Sequence, residues 1–130
     1  MSRLPRFQEH LKTGFTAEAV SAAYFRAHAE QAERAGKPKL AARWRELAAE
    51  KDRLATIQLE AAGKVYDEST ALREALAEEK YENDVLYPRM MRDVDEETAE
   101  IFRQVVAAQQ QQRAALEQLQ DDLQAASGDI

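Results

Sequence analysis

The chain contains no cysteine, and it has only 4 glycines and 3 prolines among 130 residues. Without cysteine there can be no disulfide, no thiolate zinc site and no cysteine-ligated iron–sulfur centre. The few helix-breaking residues stand against an abundance of Ala, Glu, Gln, Leu and Arg, a composition that favours helices over sheets. We therefore expect an all-α protein with almost no strand.

Long apolar runs and a basic stripe are also missing. The N-terminal residues contain no run that would serve as a signal peptide or membrane span, so we expect a cytoplasmic protein without membrane insertion. The net charge of −6, with acidic and basic residues interspersed, offers no basic stripe to phosphates. Nucleic acid is therefore not expected as a partner. The length fits one compact domain with a single core.

The apolar spacing predicts a short N-terminal extension, four long helices and a frayed tail. The extension covers residues 1–15, in which Leu4, Phe7 and Leu11 form one apolar face before a break at Gly14. The bundle covers residues 16–126, and the tail covers residues 127–130. The expected helix bounds are Thr16 to Ala35 before Gly36, Pro38 to Ala62 before Gly63, a Ser69-Thr70 cap to Tyr87-Pro88, and an Asp93 or Asp95 cap to about Ala126.

Polar residues interrupt each apolar stripe at a comparable depth, and helix bundles place metal and cofactor sites at such positions. The polar positions are Glu18, Lys51, Glu79, Glu82, Gln109 and Gln112. The predicted stripes are Ala22, Phe25, Ala29 and Ala32 in the first helix; Leu40, Trp44, Leu47, Lys51, Leu54 and Ile57 or Gln58 in the second; Leu72, Ala75 or Leu76, Glu79, Glu82 or Asn83 and Leu86 in the third; and Ile101, Val105, Gln109 or Ala108, Gln112, Leu116, Leu119 and Leu123 in the fourth.

The third predicted helix resembles the rubrerythrin branch of the ferritin-like di-iron carboxylate proteins. Glu79 and Glu82, followed by the Tyr87-Pro88 step, resemble the family segment that carries two acidic metal ligands before a Tyr-Pro step. Counting back from Gly36, which resembles the glycine ending the family's first helix, places Glu18 at a third ligand position. The resemblance covers roughly residues 11–119 and implies a ferritin-like four-helix bundle, although the link between the second and third helices is shorter than in the family.

The other half of the family's ligand set is missing. The Glu-x-x-His pair of the second helix falls on Lys51 and Leu54, and that of the fourth helix falls on Gln109 and Gln112. The two histidines, His10 and His28, lie outside these registers. The absence of cysteine also removes the rubredoxin-type module that feeds electrons to full rubrerythrins.

A metal-free bundle is the first interpretation of this pattern. An ammonium at Lys51 repels a cation and neutralises leftover carboxylates, so Lys51 is expected to join Glu and Gln side chains in a hydrogen-bonded layer. No cofactor is then expected, and the protein is a non-catalytic structural or protein-interaction module that forms a homodimer or binds a protein partner.

Two alternatives stay open. Glu18, Glu79 and Glu82 could form a carboxylate-only site for iron or manganese with residual peroxide- or oxygen-linked activity, which would make the protein an oxidoreductase or peroxidase of rubrerythrin type. Alternatively, Glu79, Glu82, Gln109 and Gln112 lie on solvated faces, since the glutamine run at 109–112 must expose some of its members. No phosphate loop or nucleophile motif supports another class of enzyme.

Overall fold

The computed structural model describes residues 3–130, and every regular element in that range is helical, which confirms the all-α prediction. None of the helices in this range combines the length and the apolar character that a membrane span needs. The cytoplasmic location stays a prediction. The elements are α1 (Phe7–Arg34), α2 (Pro38–Ala61), α3 (Glu68–Tyr81), a π-helical turn (Glu82–Leu86), α4 (Tyr87–Met91) and α5 (Glu96–Ala125).

The chain divides into two compact units. Hairpin 1 ends at Val65 and contains α1 and α2, joined by a short turn at residues 35–37. Hairpin 2 runs from Tyr66 to Ile130, and in it the helical segment made of α3, the π-helical turn and α4 packs against α5.

Small side chains form the centre of hairpin 1. Ala41, Ala48 and Ala55 of α2 and the C-cap residue Ala62 are buried and lie seven residues apart, close to two helical turns, so they follow one side of the helix. The matching side of α1 is lined by Ala22, Ala29 and Ala32, as the sequence predicts. Short side chains let two helix backbones approach closely, so alanine rather than leucine occupies the seam between α1 and α2.

The predicted inward stripe of α2 was wrong at two positions, Leu40 and Leu47, which are 46% and 51% exposed. Trp44 and Leu54 are half-buried as expected, and of the alternatives Ile57 and Gln58 it is Gln58 that is half-buried. The two leucines each precede a seam alanine by one residue, which turns them to the edge of the helix pair. The prediction placed large apolar side chains between α1 and α2, but the two helices pack so closely that alanines occupy these positions.

The predicted helix start at Thr16 was also wrong. α1 begins at Phe7 and continues through Gly14, and the Thr16 hydroxyl donates to the Lys12 carbonyl oxygen at 2.8 Å within the helix. Gly14 has a packing role instead, because a Cβ there would collide with the side-chain amide of Gln58. The glycines after α1 and α2, Gly36 and Gly63, have φ of 73° and 71° and end these helices as predicted.

Two aspartates begin the helices of hairpin 2. Asp67 Oδ1 accepts a hydrogen bond from the Thr70 backbone N–H at 2.8 Å, so the cap of α3 lies two residues before the predicted Ser69-Thr70 pair. Asp95 Oδ1 accepts from the Thr98 backbone N–H at 2.7 Å, which confirms Asp95 as the cap of α5. Each side chain satisfies a backbone donor that the first helical turn leaves unpaired.

The α3 segment widens into a π-helical turn before Pro88. Proline lacks the backbone N–H that would bond to the carbonyl four residues earlier, and its ring crowds that carbonyl, which belongs to Asp84 in the π-helical turn. The wider turn keeps the backbone helical past this position, so the helical segment continues beyond Tyr87-Pro88 to Met91.

The predicted stripe of α5 was correct at Val105, Gln109, Leu116 and Leu123, which are half-buried. It was wrong at three positions, where the side chains are exposed: Ile101, Gln112 and Leu119. Phe102 and Arg113 are half-buried instead. Phe102 belongs to a row of half-buried residues that repeats every seven positions, at 102, 109, 116 and 123, and Arg113 lies beside that row. Beyond Ala126 the tail is not helical.

Candidate functional site

An ion pair forms the polar cluster of hairpin 1. The Lys51 Nζ of α2 lies 2.8 Å from the Glu18 Oε2 of α1, and the two side chains are 30% and 23% exposed. The ammonium also lies 6.0 Å from the ring centroid of Phe25. Antiparallel packing of α1 on α2 across the alanine seam brings the two charged groups together from positions 33 residues apart in the sequence.

This ion pair changes what Glu18 can do chemically. Its Oε2 atom is shielded from solvent and faces an ammonium, so it is not free to bind a cation unless Lys51 moves away. Two partly desolvated charges are stable here because each compensates the other, whereas either charge alone would be costly. Leu54, at the second ligand position that the rubrerythrin resemblance assigns to α2, is half-buried and has no ligating atom.

A chain of hydrogen bonds forms the polar cluster of hairpin 2. Asn83 is only 4% exposed, and its Nδ2 donates to Gln109 Oε1 at 2.7 Å. Gln109 Nε2 in turn donates to Glu82 Oε1 at 3.1 Å. The amide of Gln109 is suited to this position because it accepts from one neighbour and donates to the other, and an ionised carboxylate cannot donate.

Two acceptor oxygens of this cluster have no hydrogen-bond partner within the described residues. They are Glu79 Oε2, one turn before Asn83, and Asn83 Oδ1 itself, and both atoms are buried. A buried acceptor without a donor costs free energy comparable to a lost hydrogen bond. The cluster in hairpin 2 therefore has two buried acceptors that no donor of the described residues satisfies.

The structure distributes the predicted site residues between the hairpins. Glu18, Lys51 and Leu54 belong to hairpin 1, whereas Glu79, Glu82 and Gln109 belong to hairpin 2. Gln112 is exposed, so its prediction as an inward position was wrong. Within the part of the chain that the structure describes, neither hairpin gathers three His, Asp or Glu side chains in a metal-binding arrangement.

Sequence reasoning gave Asn83 only as an alternative to Glu82, and it missed Arg113. Arg113 Nη1 lies 3.5 Å from Asp84 Oδ1, one turn beyond Gln109 on α5. Asn83 is buried because it lies in the π-helical turn, which has an extra residue compared with an α-helical turn. The sequence gives no direct indication that such a turn forms at this position.

The donor set does not fit a di-iron centre. Such a centre needs anionic oxygen ligands and imidazoles, but the Lys51 ammonium and the Gln109 amide occupy two positions to which the rubrerythrin resemblance assigns carboxylates. The two histidines, His10 and His28, lie outside the ligand positions that the resemblance assigns. The ring of His28 packs 5.0 Å from Trp44 and 6.5 Å from Tyr24, which gives it an aromatic environment.

No protein-family model, curated protein or solved structure matches this chain.

Proposed function

We propose that the protein is a ferritin-like four-helix bundle of rubrerythrin type that has lost its di-iron centre and serves as a non-catalytic structural or protein-interaction module. The observation that carries this proposal is the ion pair of Lys51 with Glu18. An ammonium that faces a ligand-position carboxylate supplies the positive charge that a metal ion would otherwise bring.

Gln109 supports the same conclusion from hairpin 2. It replaces a family carboxylate with a neutral side chain, and both ends of its amide are already hydrogen-bonded. Polar groups that satisfy one another in this way keep a former metal layer folded without a metal. The remaining function is then binding through the helix surfaces.

Metal content tests this proposal directly. Untagged protein is loaded anaerobically with Fe(II) or Mn(II), desalted and analysed by plasma mass spectrometry, and we expect only background metal. The matched variant carries Lys51→Glu and Gln109→Glu, which restore two carboxylates, and it should retain more metal than the parent chain. Near-stoichiometric metal in the parent protein would refute the metal-free assignment.

The unpartnered Glu79 Oε2 favours a second candidate function, a carboxylate-only site for iron or manganese. If this site exists, Glu79→Gln should abolish retained metal, whereas Glu78→Gln on the exposed side of α3 should not. Metal retention that is lost only in Glu79→Gln would support this second function and justify assays for peroxide consumption.

A further inference from the structure

We infer that one end of hairpin 2, where α3 starts and α5 ends, docks a peptide segment of a partner protein that carries a large apolar side chain next to arginine or lysine. This inference rests on the proposed role as a protein-interaction module, and it names the chemistry of the partner. Three features of hairpin 2 carry it: an apolar groove, an acidic surround and a helix end without a basic side chain.

The groove opens between the first turns of α3 and the last turns of α5, and its volume is about 200 Å³. Its apolar lining comes from both helices and from the tail: Leu72, Leu119, Leu123 and Ile130. Leu119 and Ile130 are exposed, so part of this apolar lining faces solvent. Pockets for small-molecule ligands usually measure about 300–1,000 Å³, so a groove of this volume suits a single side chain better than a whole cofactor.

The groove lies in an acidic surround. Glu68 and Asp129 line it, and Asp122 and Asp129 line a wider depression of about 500 Å³ that adjoins it at Ile130. Residues 114–130 have four ionisable side chains, and all of them are carboxylates: Glu117, Asp121, Asp122 and Asp129. Within the described residues none of these four forms an ion pair. Such a surface attracts a positively charged partner and repels an acidic one.

The end of α5 adds negative partial charge at the same place. The last carbonyl groups of a helix lack intrahelical donors and form the negative end of the helix dipole. α5 is 30 residues long and has no basic residue in its last turn, whereas α1 has Arg34 there. The backbone N–H of Ala126 satisfies the Asp122 carbonyl oxygen, and among the described residues no side chain donates to the carbonyls that follow. A cation from a partner would complement this helix end.

Hairpin 1 shows the same recognition chemistry within the chain. Arg3 Nη1 donates to the Ala61 carbonyl oxygen at the end of α2 at 2.7 Å, and the Arg3 guanidinium lies 4.6 Å from the ring centroid of Phe7. A guanidinium beside a large apolar side chain therefore binds the end of one helix of this protein. In hairpin 2 the partner supplies both groups, with its apolar side chain in the groove and its cation at the end of α5.

Fluorescence anisotropy with labelled hexapeptides and the full chain tests the docking. The probe GRFLRG should bind, and its affinity should fall at least about tenfold between about 50 and about 500 mM NaCl, because salt screens exposed charges. Two control peptides each lack one part of the recognition chemistry: GEFLEG has no cation, and GRSSRG has no large apolar side chain. Each control should bind at least about ten times more weakly than the probe.

Paired charge variants test whether the surround of the groove attracts the peptide. Asp122→Asn with Asp129→Asn should weaken binding of GRFLRG about 5- to 10-fold. Asp93→Asn with Glu97→Gln removes the same charge near the start of α5 and should leave the affinity unchanged. Because both double variants have the same net charge, a difference between them reports the position of the carboxylates.

Two further variants test the groove and the helix end. Leu119→Ser removes an apolar side chain from the groove and should weaken binding of GRFLRG without unfolding the chain, as circular dichroism checks. Gln124→Lys places an ammonium in the last turn of α5. This variant should bind the peptide more weakly and melt at a higher temperature than the parent, because its own cation then complements the helix end.

Equal affinity for the three peptides, or equal losses in the two double variants, would overturn the docking inference. Self-association that Leu119→Ser abolishes, without peptide binding, would assign the groove to a second copy and would also overturn it. Metal content separates these results from failure of the proposed function. Metal-free protein that does not bind GRFLRG refutes only the docking, and metal-loaded protein that binds it refutes only the metal-free assignment.

Discussion

The Nζ atom of Lys51 lies 2.8 Å from Oε2 of Glu18, across the alanine seam that joins α1 and α2. The pair is mostly shielded from water, and neither group has a second charged partner among the ion pairs of the described chain. This relationship links the stability of hairpin 1 to the ion pair that Glu18 forms with Lys51.

Replacing Lys51 should destabilise the protein because it leaves Glu18 without a counter-charge. Lys51→Met keeps the aliphatic volume and should lower the free energy of unfolding by about 1–3 kcal/mol, and Lys51→Glu by more, since two carboxylates then face each other. Urea denaturation followed by circular dichroism measures both.

The exposed pair Arg26 and Asp52 is the matched control. Its atoms lie 2.9 Å apart, but both side chains are more than half exposed. Arg26→Gln should change the free energy of unfolding by about 0–1 kcal/mol. If Lys51→Met were as mild as this control, the Lys51 ammonium would be solvated in solution.

Both ends of the Gln109 side-chain amide should contribute to the stability of hairpin 2. Gln109→Ala leaves the buried Asn83 amide without an acceptor and should cost about 1–3 kcal/mol. Gln109→Glu should be destabilising at neutral pH because its carboxylate faces Glu82, and protonation at low pH should relieve part of the loss. Gln110→Ala, on the exposed side of α5, should have little effect, and equal effects at 109 and 110 would contradict the buried network.

Two helix caps should give the protein a stability that depends on pH below about 4. The backbone N–H of Thr70 holds the pKa of Asp67 below its ordinary value of 3.8, and that of Thr98 does the same for Asp95. Because the folded pKa lies below the unfolded one, this stabilisation is complete above the unfolded pKa and is lost as the pH falls through the folded pKa.

Thermal melts between pH 6 and pH 2.5 measure this dependence. The double variant Asp67→Asn, Asp95→Asn keeps neutral caps, so its melting temperature should fall less steeply below pH 4. Asp93→Asn, which does not cap α5, should keep the parent slope. A parent-like slope in the double variant would show that other carboxylates control acid unfolding.

The first residues should stabilise hairpin 1 by binding the free carbonyls at the end of α2. Arg3 Nη1 donates to the Ala61 carbonyl oxygen at 2.7 Å, and Gln8 Nε2 donates to that of Ala62 at 3.0 Å. The double variant Arg3→Ala, Gln8→Ala should lower the melting temperature, since these carbonyls lose their side-chain donors.

Arg6→Ala is the control because it removes only an exposed contact with Glu9. Deleting residues 1–14 should have a far larger effect, with loss of cooperative melting, since it removes the first two turns of α1 and the Gly14 packing site. Normal melting of the truncated chain would show that this segment is a separable extension.

Local features of the sequence determined the helical content of this protein and several of its helix ends. Helical composition, the turn glycines Gly36 and Gly63 and the Asp95 cap each depend on a residue's own backbone preference, and these predictions agree with the structure. The inward positions of Ala22 and Ala29 also follow from helical period. Such features need no knowledge of what a helix packs against.

Only the tertiary structure decided which side chains fill the contact between α1 and α2 and the interior of hairpin 2. Close contact of α1 and α2 selected alanines over Leu40 and Leu47, and the π-helical turn placed Asn83 inside hairpin 2. The partners of the polar side chains were decided in the same way, since Lys51 meets Glu18 only because α1 and α2 pack antiparallel. Periodicity fixes the angle between residues on one helix, but the distance between two helices depends on side-chain volumes from both.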